Sequence, residues 1–380
     1  MIIPFFLMNR GCPHRCLFCN ERLTAGDRPE RVTEAAFAET VRAHLASAPR
    51  RGGPRRPVQI AFYGGTFTGM EREEQRRLLD MAAPFLREGA VDGIRISTRP
   101  DGIDEEALDL FQTAGVTTVE VGAQSLHDGV LMESRRGHTE NDTVRALALL
   151  REKGFETGIH LMAGLPGDSP DRFAETIRKT IALRPDMVRI HPTLVLRDTA
   201  LAQAFHQGAY RPLILLEATD LCKNALKALT AAGIPVIRLG LQTTRELEEP
   251  GAVVAGPFHP AFRSLVETAL FLELAAALLS AVERENGAAS SGTANADRLT
   301  ADFTISPADL SSFCGAGRGN IAFLKERFGI EKIRVKADPA LSRGNVILTY
   351  GTQQLKADGS GRITWLRTEG LHAAGRRGIV

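Results

Sequence analysis

The chain has 380 residues, of which 43% are hydrophobic and 24% charged, and a formal net charge of +2. This length accommodates one domain of about 250 residues and a smaller one, and the composition is that of a soluble globular protein. So small a net charge does not by itself demand a nucleic-acid partner. Five cysteines, three of them clustered, exclude a disulfide framework and suit a reducing compartment, so we expect a cytoplasmic protein.

Two apolar stretches raise the question of a membrane anchor. Residues 2–8 lack a basic flank and a small-residue cleavage site, which predicts a buried strand and not a signal peptide. Residues 265–282 are rich in Leu and Ala, but Glu267 and Glu273 interrupt them, as in an amphipathic helix of a soluble protein. We therefore expect no membrane association.

Strand and helix patterns alternate from the N-terminus onward. The predicted strands cover residues 2–8, 58–63, 93–97, 117–121, 156–162 and 186–190, with a further strand at 235–239. The predicted helices cover residues 33–48, 71–87, 104–114, 128–154 with an interruption at 135–138, 170–183 and 213–232. Short apolar strands separated by helices indicate βαβ units and a parallel sheet, which right-handed crossovers close into a barrel or a doubly wound fold.

The rest of the chain has a different character. Residues 241–284 predict a helical extension that packs on the barrel. The Gly-, Ala- and Ser-rich residues 285–299 form a linker, residues 300–357 a small α/β module, and residues 358–380 a mobile tail. The first domain accordingly spans residues 1–240.

Three cysteines follow the first strand in a C-x3-C-x2-C spacing: Cys12, Cys16 and Cys19. Thiolates this close in sequence converge on one metal centre. Iron–sulfur clusters usually take four Cys ligands, so three would leave one iron open to a ligand. A zinc site lacks an obvious fourth ligand. Buried structural cysteines on one helix face are a further alternative, which Gly11 and Pro13 disfavour. Spacing alone leaves all three open.

This run, with Phe18 just before the last cysteine, resembles the radical S-adenosylmethionine (SAM) superfamily. The resemblance implies that Cys12, Cys16 and Cys19 hold a [4Fe–4S] cluster whose fourth iron binds SAM. One electron from the cluster then cleaves SAM to methionine and a 5′-deoxyadenosyl radical. It also implies an α/β fold, a partial (β/α)6 TIM-like barrel followed here by the small C-terminal α/β module. Glycine-rich motifs after several strands agree with ligand binding at the carboxyl ends of the strands.

Other motifs resemble the Elongator catalytic-subunit-like and coproporphyrinogen-dehydrogenase-like groups within this superfamily. Gly64-Gly65-Thr66-Phe67 matches the Elongator form of the motif that receives the SAM amino group, although Thr66 replaces the commoner Glu. The resemblance also implies cofactor contacts for Phe18, Gln124 and Arg136. Arg136 would meet the SAM carboxylate by guanidinium geometry, and Arg135 is the alternative to it. His160 stands where relatives have an Asp that holds the ribose hydroxyls.

The resemblance covers roughly residues 3–240, and we find no acetyltransferase pattern after it. It makes tRNA base modification the leading function, with a flavodoxin or ferredoxin as electron donor. A basic loop at residues 50–56 is a solvated loop or a phosphate-contacting patch. The alternatives are a porphyrin-directed radical SAM enzyme, a non-catalytic heme, iron–sulfur or RNA-binding protein, and a zinc-stapled RNA-binding module.

Overall fold

The computed structural model describes residues 1–26, 31–47, 57–288 and 300–367. The basic loop at residues 50–56 lies outside the described residues, as does most of the predicted linker. Contacts divide the chain into two units. The first comprises Met1–Cys222 and Ala232–Phe262, and the second comprises Lys223–Ala231 and Arg263–Val380.

The first unit is built on a parallel sheet in the order β1-β2-β3-β4-β5-β6-β8, together with a small antiparallel pair, β7 and β9. Because β1 and β8 are the edges of the parallel sheet, the barrel is open, and the predicted partial TIM-like barrel is confirmed. The predicted strand at 235–239 adds a seventh strand to the six of the basic pattern. The strands are β1 (Ile2–Phe6), β2 (Gln59–Tyr63), β3 (Gly93–Thr98), β4 (Val116–Gln124), β5 (Glu156–Ala163), β6 (Met187–Pro192), β7 (Val195–Leu196), β8 (Val236–Leu239) and β9 (Val253–Ala255).

Helices alternate with these strands, and side-chain caps fix where several of them begin. Asp104 accepts a hydrogen bond from the Ala107 amide at the start of α4, and Thr139 forms a capping box with Asp142 at the start of α6. The helices are α1 (Glu21–Ala25), α2 (Glu34–Ser47), α3 (Arg72–Arg87), α4 (Glu105–Thr113), α5 (Asp128–Glu133), α6 (Glu140–Glu152), α7 (Pro170–Leu183), α8 (Ala200–His206) and α9 (Leu215–Ala231). The helix expected over 128–154 is thus two helices separated at the predicted interruption.

Strand β4 differs most from its predicted bounds. It continues through Gly122 and Ala123 to Gln124, beyond the predicted end at residue 121, and its register with β5 shifts between Val121 and Gln124. Such an irregularity changes the direction in which the following side chains point. The Gly-Ala-Gln motif therefore belongs to the strand end and not to a free loop.

A buried network of charges joins four strands inside the barrel. Glu120 on β4 accepts a hydrogen bond from Arg95 on β3 at 2.8 Å and lies 2.5 Å from Arg189 Nε on β6. The Tyr63 hydroxyl on β2 donates to Glu120 at 3.0 Å and accepts from Arg189 at 2.7 Å. Because two guanidinium groups share one carboxylate, Glu120 is the charge on which the network depends.

The second unit combines one long helix with a mixed sheet in the order β11-β10-β12-β13-β14. Its elements are α10 (Phe262–Ala288), β10 (Thr300–Ile305), α11 (Leu310–Cys314), α12 (Gly319–Phe328), β11 (Lys332–Ala337), β12 (Val346–Tyr350), β13 (Gln353–Ala357) and β14 (Ile363–Arg367). Strand β14 therefore extends the sheet beyond residue 357 to residue 367. The domain boundaries predicted from the sequence stay a prediction.

Helix α10 is apolar along most of its length. The stretch Phe262–Glu285 is long and apolar enough to span a membrane by length and composition. It also packs within the second unit, where the Phe271 and Phe313 rings lie 6.1 Å apart and Lys223 pairs with Glu273 at 2.9 Å. These contacts join the helix to other elements of the second unit.

We predict that Glu120→Ala lowers the free energy of unfolding by about 3 kcal/mol or more, because it leaves the buried Arg189 charge without its carboxylate and leaves Arg95 with only Glu156, at 3.6 Å. The matched control is Glu106→Ala, since Glu106 is 77% exposed and pairs with Arg72 at the surface. It should cost about 0.5 kcal/mol or less. Urea titrations would measure both, and equal losses would contradict the assigned role of the network.

Candidate functional site

The three clustered cysteines lie on the loop that follows β1. The loop leaves the strand through two residues with left-handed backbone, Met8 at φ 45° and Asn9 at φ 60°. The Cys12 amide then donates to the Asn9 carbonyl at 3.2 Å. Residues 12–19 form turns and not a helix, as Gly11 and Pro13 predict. The alternative of three cysteines on one buried helix face is therefore wrong.

This loop is held against the loop that follows β2. The Thr66 amide donates to the Arg10 carbonyl at 2.8 Å. A Cβ on Gly11, at φ +71°, would lie 2.2 Å from the Thr66 carbonyl oxygen, and a Cβ on Gly65, at φ +60°, would lie 2.4 Å from the Arg10 carbonyl oxygen. Glycine is required at both positions for the approach of the two backbones.

Each of the three thiols has a different polar neighbour. The Cys12 sulfur lies 3.3 Å from the Thr66 hydroxyl, the Cys16 sulfur accepts from Arg136 Nη1 at 3.0 Å, and the Cys19 sulfur lies 4.0 Å from the Asn9 amide nitrogen. A single zinc needs its ligands about 2.3 Å from one point. Within residues 1–26, 31–47, 57–288 and 300–367, no group of three or more His, Cys, Asp or Glu side chains is arranged to hold one metal ion.

The protein surroundings disfavour the ionised form of two of these thiols. Burial raises the pKa of the Cys12 thiol, and the hydrogen bond with Thr66 opposes part of the rise. Desolvation by the surrounding loops, followed by the negative charge of Glu21, raises the pKa of Cys19 to about 12. Metal binding to thiolates must therefore release protons here. As whole residues, Cys12 and Cys19 are nevertheless exposed.

A buried carboxyl group, which the sequence analysis did not identify as a site residue, lies beside the Gly64-Gly65 backbone. Glu21, the first residue of α1, accepts a hydrogen bond from the Gly65 amide at 2.7 Å. A Cβ on Gly64, at φ +70°, would lie 2.0 Å from Glu21 Oε1. Burial raises the pKa of Glu21 to about 7. The Gly64-Gly65 pair thus forms a cradle that the carboxyl group already enters.

The predicted residues Gln124 and Arg136 lie together at the end of β4. Arg136 is only 6% exposed, and besides Cys16 it donates to the Gly122 carbonyl at 2.5 Å. A Cβ on Gly122 would be 3.1 Å from the Gln124 amide nitrogen and 3.5 Å from Arg136 Nη2. The neighbouring Arg135 is exposed, so of the two arginines Arg136 is the one that faces the cysteines.

Two polar atoms of this pair lack a partner. Gln124 Oε1 and Arg136 Nε are buried without a hydrogen bond in the part of the chain that the structure describes. A buried amide or guanidinium group normally has its hydrogen bonds satisfied. These atoms therefore fit the contact surface of a polar ligand beside Cys16.

The predicted ribose-binding His160 makes a contact that the sequence did not indicate. Its Nε2 lies 3.0 Å from Nδ1 of His191 on the neighbouring strand β6. Burial, followed by the charge of Arg189, lowers the pKa of His160 to about 3, and burial also lowers the pKa of His191. Both rings are therefore neutral at physiological pH. The ribose contact of His160 stays a prediction.

Phe18 lies between two apolar clusters. It packs against the cluster of Val130, Met162 and Leu165, and also against the cluster that includes Val195 and Leu201. These contacts anchor the cysteine loop over the barrel. The predicted cofactor contact of Phe18 stays a prediction.

Sequence reasoning missed Glu21 and His191. Glu21 follows Cys19 by two residues, and this proximity of an acid to the cysteine run was an available signal. His191 lies two residues after Arg189 on β6, on the same face of the strand. Its register with Met162 of β5 could not be read from the sequence.

Two family models match this chain. The model described as the radical SAM superfamily matches residues 6–180, and the model described as the radical SAM C-terminal domain matches residues 185–271. The first matched region contains the three cysteines, Gly64-Gly65-Thr66, Gln124, Arg136 and His160.

Curated relatives match over the same region. The tRNA uridine(34) acetyltransferase of Methanocaldococcus infernus is 30% identical over 249 residues, which cover 56% of this chain and 47% of that protein. The Elongator complex protein 3 of Homo sapiens is 34% identical over 174 residues, which cover 40% of this chain and 32% of that protein. The chain spans about half the length of the archaeal and bacterial acetyltransferases that it matches.

A solved structure agrees in fold. The archaeal Elp3 of Methanocaldococcus infernus with an N-terminal deletion superposes with a TM-score of 0.52 at 20% identity. The superposition covers 93% of this chain and 77% of that one. This likeness supports the TIM-like architecture described above.

We predict that Gly11→Ala destabilises the protein by about 3 kcal/mol, because the new Cβ meets the Thr66 carbonyl and cannot rotate away. Gly208→Ala is the matched control, since Gly208 also has φ +71° but no atom lies within 4 Å of the position that its Cβ would take. It should cost only the backbone strain of about 1 kcal/mol. Urea titrations would compare them, and equal losses would show that the two loops do not depend on this close approach.

Proposed function

We propose that this chain, which belongs to the radical SAM superfamily, binds a [4Fe–4S] cluster and SAM at the carboxyl end of its partial barrel and acts on tRNA. The observation that carries the proposal is that the three thiols lie on one loop, where Cys12 contacts Thr66 and Cys16 contacts Arg136. The superfamily's cofactors are a [4Fe–4S] cluster and SAM, and its members are enzymes.

The residues present fit these two cofactors. Cys12, Cys16 and Cys19 supply three soft thiolate ligands of the kind that iron–sulfur clusters take, and the cysteine run offers no fourth. When bound, the cluster supplies the electron that cleaves SAM to methionine and a 5′-deoxyadenosyl radical. The protein's own part is to bind, orient and shield.

We assign the binding and orienting of SAM to different polar side chains around the thiols. Arg136 is held by Cys16 and the Gly122 carbonyl, and it can present its unpartnered Nε to the carboxylate of SAM. Gln124 Oε1 offers a buried hydrogen-bond acceptor beside this donor. Gly64, Gly65 and Thr66 remain the candidates for the SAM amino group and His160 for the ribose hydroxyls. Phe18 packs the cysteine loop against the two apolar clusters.

The substrate assignment rests on the relatives. Proteins that match this chain are named as modifying uridine 34 of tRNA, and tRNA is therefore the substrate class that we assign. The basic loop, whose arginines lie outside the described residues, supplies cations that a phosphate backbone would attract. A cytoplasmic location and a flavodoxin or ferredoxin as electron donor complete the proposal.

We predict that anaerobically reconstituted protein releases 5′-deoxyadenosine from SAM when a strong one-electron reductant is added. Cys16→Ala should abolish both the cluster and this product, because it removes one of the three ligands, while far-ultraviolet circular dichroism shows an intact fold. Cys222→Ala is the matched control, since Cys222 is buried in α9 away from the other cysteines in sequence. A Cys16→Ala variant with undiminished iron and sulfide would contradict the site.

A separate measurement tests the substrate. Changing Arg50, Arg51, Arg55 and Arg56 together to Ala should weaken binding of unmodified tRNA about tenfold at low salt, because up to four phosphate contacts are lost. The same variant should still bind SAM as the wild type does. If the two proteins bind tRNA with equal affinity at every salt concentration, the basic loop is not part of the RNA-binding surface.

A further inference from the structure

The sheet of the second unit has one buried face and one open face. Along β10, Ala301, Phe303 and Ile305 are buried, and the residues that alternate with them are partly exposed. The same alternation runs through β12 and β13, and on β11 Ile333 is buried between exposed neighbours. We call the partly exposed side of these four strands the outer face. The matches to the two family models end at residue 271, so they do not describe this face.

The outer face concentrates positive charge. Lys332, Arg334 and Lys336 alternate along β11, and all three are exposed. Lys356 lies on the same face of β13. Among the outer-face residues of β10 to β13 the only acid is Asp302, which pairs with Arg334 at 3.6 Å. Four cations and one acid make this face strongly positive, although the net charge of the whole chain is only +2.

Strand register places these cations around a polar centre. One row across the four strands reads Lys336, Thr304, Ile347 and Lys356. Because neighbouring strands lie about 4.8 Å apart, the backbones of the two lysines in this row are about 14 Å apart. In the next row, the Gln354 amide donates to the Thr349 hydroxyl at 3.3 Å. The face therefore offers hydroxyl and amide groups between cations.

A structural role accounts for only part of this charge. Strand β11 is an edge of the sheet, and cations on an edge strand discourage pairing with another sheet. This reason does not apply to Lys356, because β13 has a neighbouring strand on each side. Lys332, Lys336 and Lys356 also form no ion pair within the described part of the chain, where Arg334 has Asp302. Like charges on one sheet face repel each other, so these unpaired lysines point to an anionic partner.

The arrangement of the outer face favours a nucleic-acid backbone as that partner. Alternate residues of a strand are about 6.6 Å apart, so the cations of β11 form a line that can follow the phosphates of one extended strand. Thr304, Thr349 and Gln354 can hydrogen-bond to phosphate oxygens. A membrane-binding surface instead combines cations with apolar side chains that enter the lipid. Ile347, the apolar residue of the row described above, is half-buried.

We infer that the outer face binds the phosphate backbone of RNA without reading its sequence. The inference rests on the function proposed above, with tRNA as substrate class, and assigns part of the RNA binding to the second unit. The outer-face residues of β10 to β13 include no aromatic side chain on which a base could stack. Contacts to phosphates alone set affinity and salt dependence and carry no sequence information.

The test changes Lys332, Lys336 and Lys356 together to Gln. Arg334 is kept, because it pairs with Asp302. The Kd for unmodified tRNA should rise about tenfold or more at low salt. The slope of log affinity against log salt concentration should become shallower by about 2 to 3, since each lost phosphate contact removes about one unit of slope. Fluorescence anisotropy titrations at several salt concentrations would measure both quantities, and single-stranded RNAs of two different sequences should lose affinity by the same factor.

The matched control removes three charges from elsewhere on the surface. Arg76 and Arg87 on α3 and Arg178 on α7 are exposed, and their joint change to Gln alters the net charge by the same amount. This control should keep the tRNA affinity of the wild type within about twofold. Far-ultraviolet circular dichroism and the iron content should be the same for both variants and the wild type.

A second readout uses the wild-type protein and so does not depend on the folding of a variant. Saturating tRNA should protect the lysines of the outer face from chemical acetylation, as measured by mass spectrometry. Lys153, which pairs with Asp109 in the first unit, should stay equally reactive with and without tRNA. Unchanged acetylation of Lys332, Lys336 and Lys356 in the complex would contradict the inference.

The outcomes separate this inference from the proposed function. If the wild type binds tRNA and the Lys→Gln variant binds it with the same affinity and slope, the inference is wrong and the proposed function stands. Equal losses in the variant and the control would overturn it too, because net charge would then be the cause. Lost affinity for phosphatidylserine vesicles with unchanged affinity for tRNA would make the face a membrane surface instead. Failure of the wild type to bind tRNA would overturn both the proposed substrate and the inference, whereas the expected loss of tRNA affinity in a protein that does not cleave SAM would support the inference and contradict only the proposed chemistry.

Discussion

The close approach of the loops after β1 and β2 is the constraint on which the site depends. The hydrogen bond from the Thr66 amide to the Arg10 carbonyl fixes the distance between them, and Gly11 and Gly65 leave no room for a side chain. This contact places Thr66 beside Cys12 and the Gly64-Gly65 cradle beside Glu21. Without it, the three cysteines would lie on a loop with no fixed relation to the ligand-binding edge of the sheet.

A second constraint comes from the barrel itself. Parallel strands end at a common edge, so the irregular end of β4 brings Arg136 against Cys16, although the two are 120 residues apart in sequence. Below this edge, Glu120 is shared by Arg95 and Arg189 and ties β3, β4 and β6 together. The buried charge network stabilises the strands, and the carboxyl ends of the same strands carry the polar residues of the candidate site.

Much of this arrangement was predictable from the sequence. The period of apolar residues and the turn residues indicated each βαβ unit, and the resemblance of the cysteine run predicted a cluster site at Cys12, Cys16 and Cys19. Contacts that depend on register between strands were not predictable, as the His160–His191 pair illustrates. The sequence also did not show that Arg135 is exposed while Arg136 is buried, because this difference depends on the left-handed backbone of Arg135 at φ 52°. Glu21 was missed because its partner, the Gly65 amide, is remote in sequence.

The central claim is that three thiolates hold a cluster with one iron open to SAM. Electron paramagnetic resonance of the anaerobically reconstituted and reduced protein tests it most directly, with SAM added to one of two identical samples. The account predicts the signal of a reduced [4Fe–4S] cluster whose g values shift when SAM is present, because SAM changes the ligands of one iron. A protein that holds zinc without labile sulfide, or a cluster signal that SAM leaves unchanged, would contradict it.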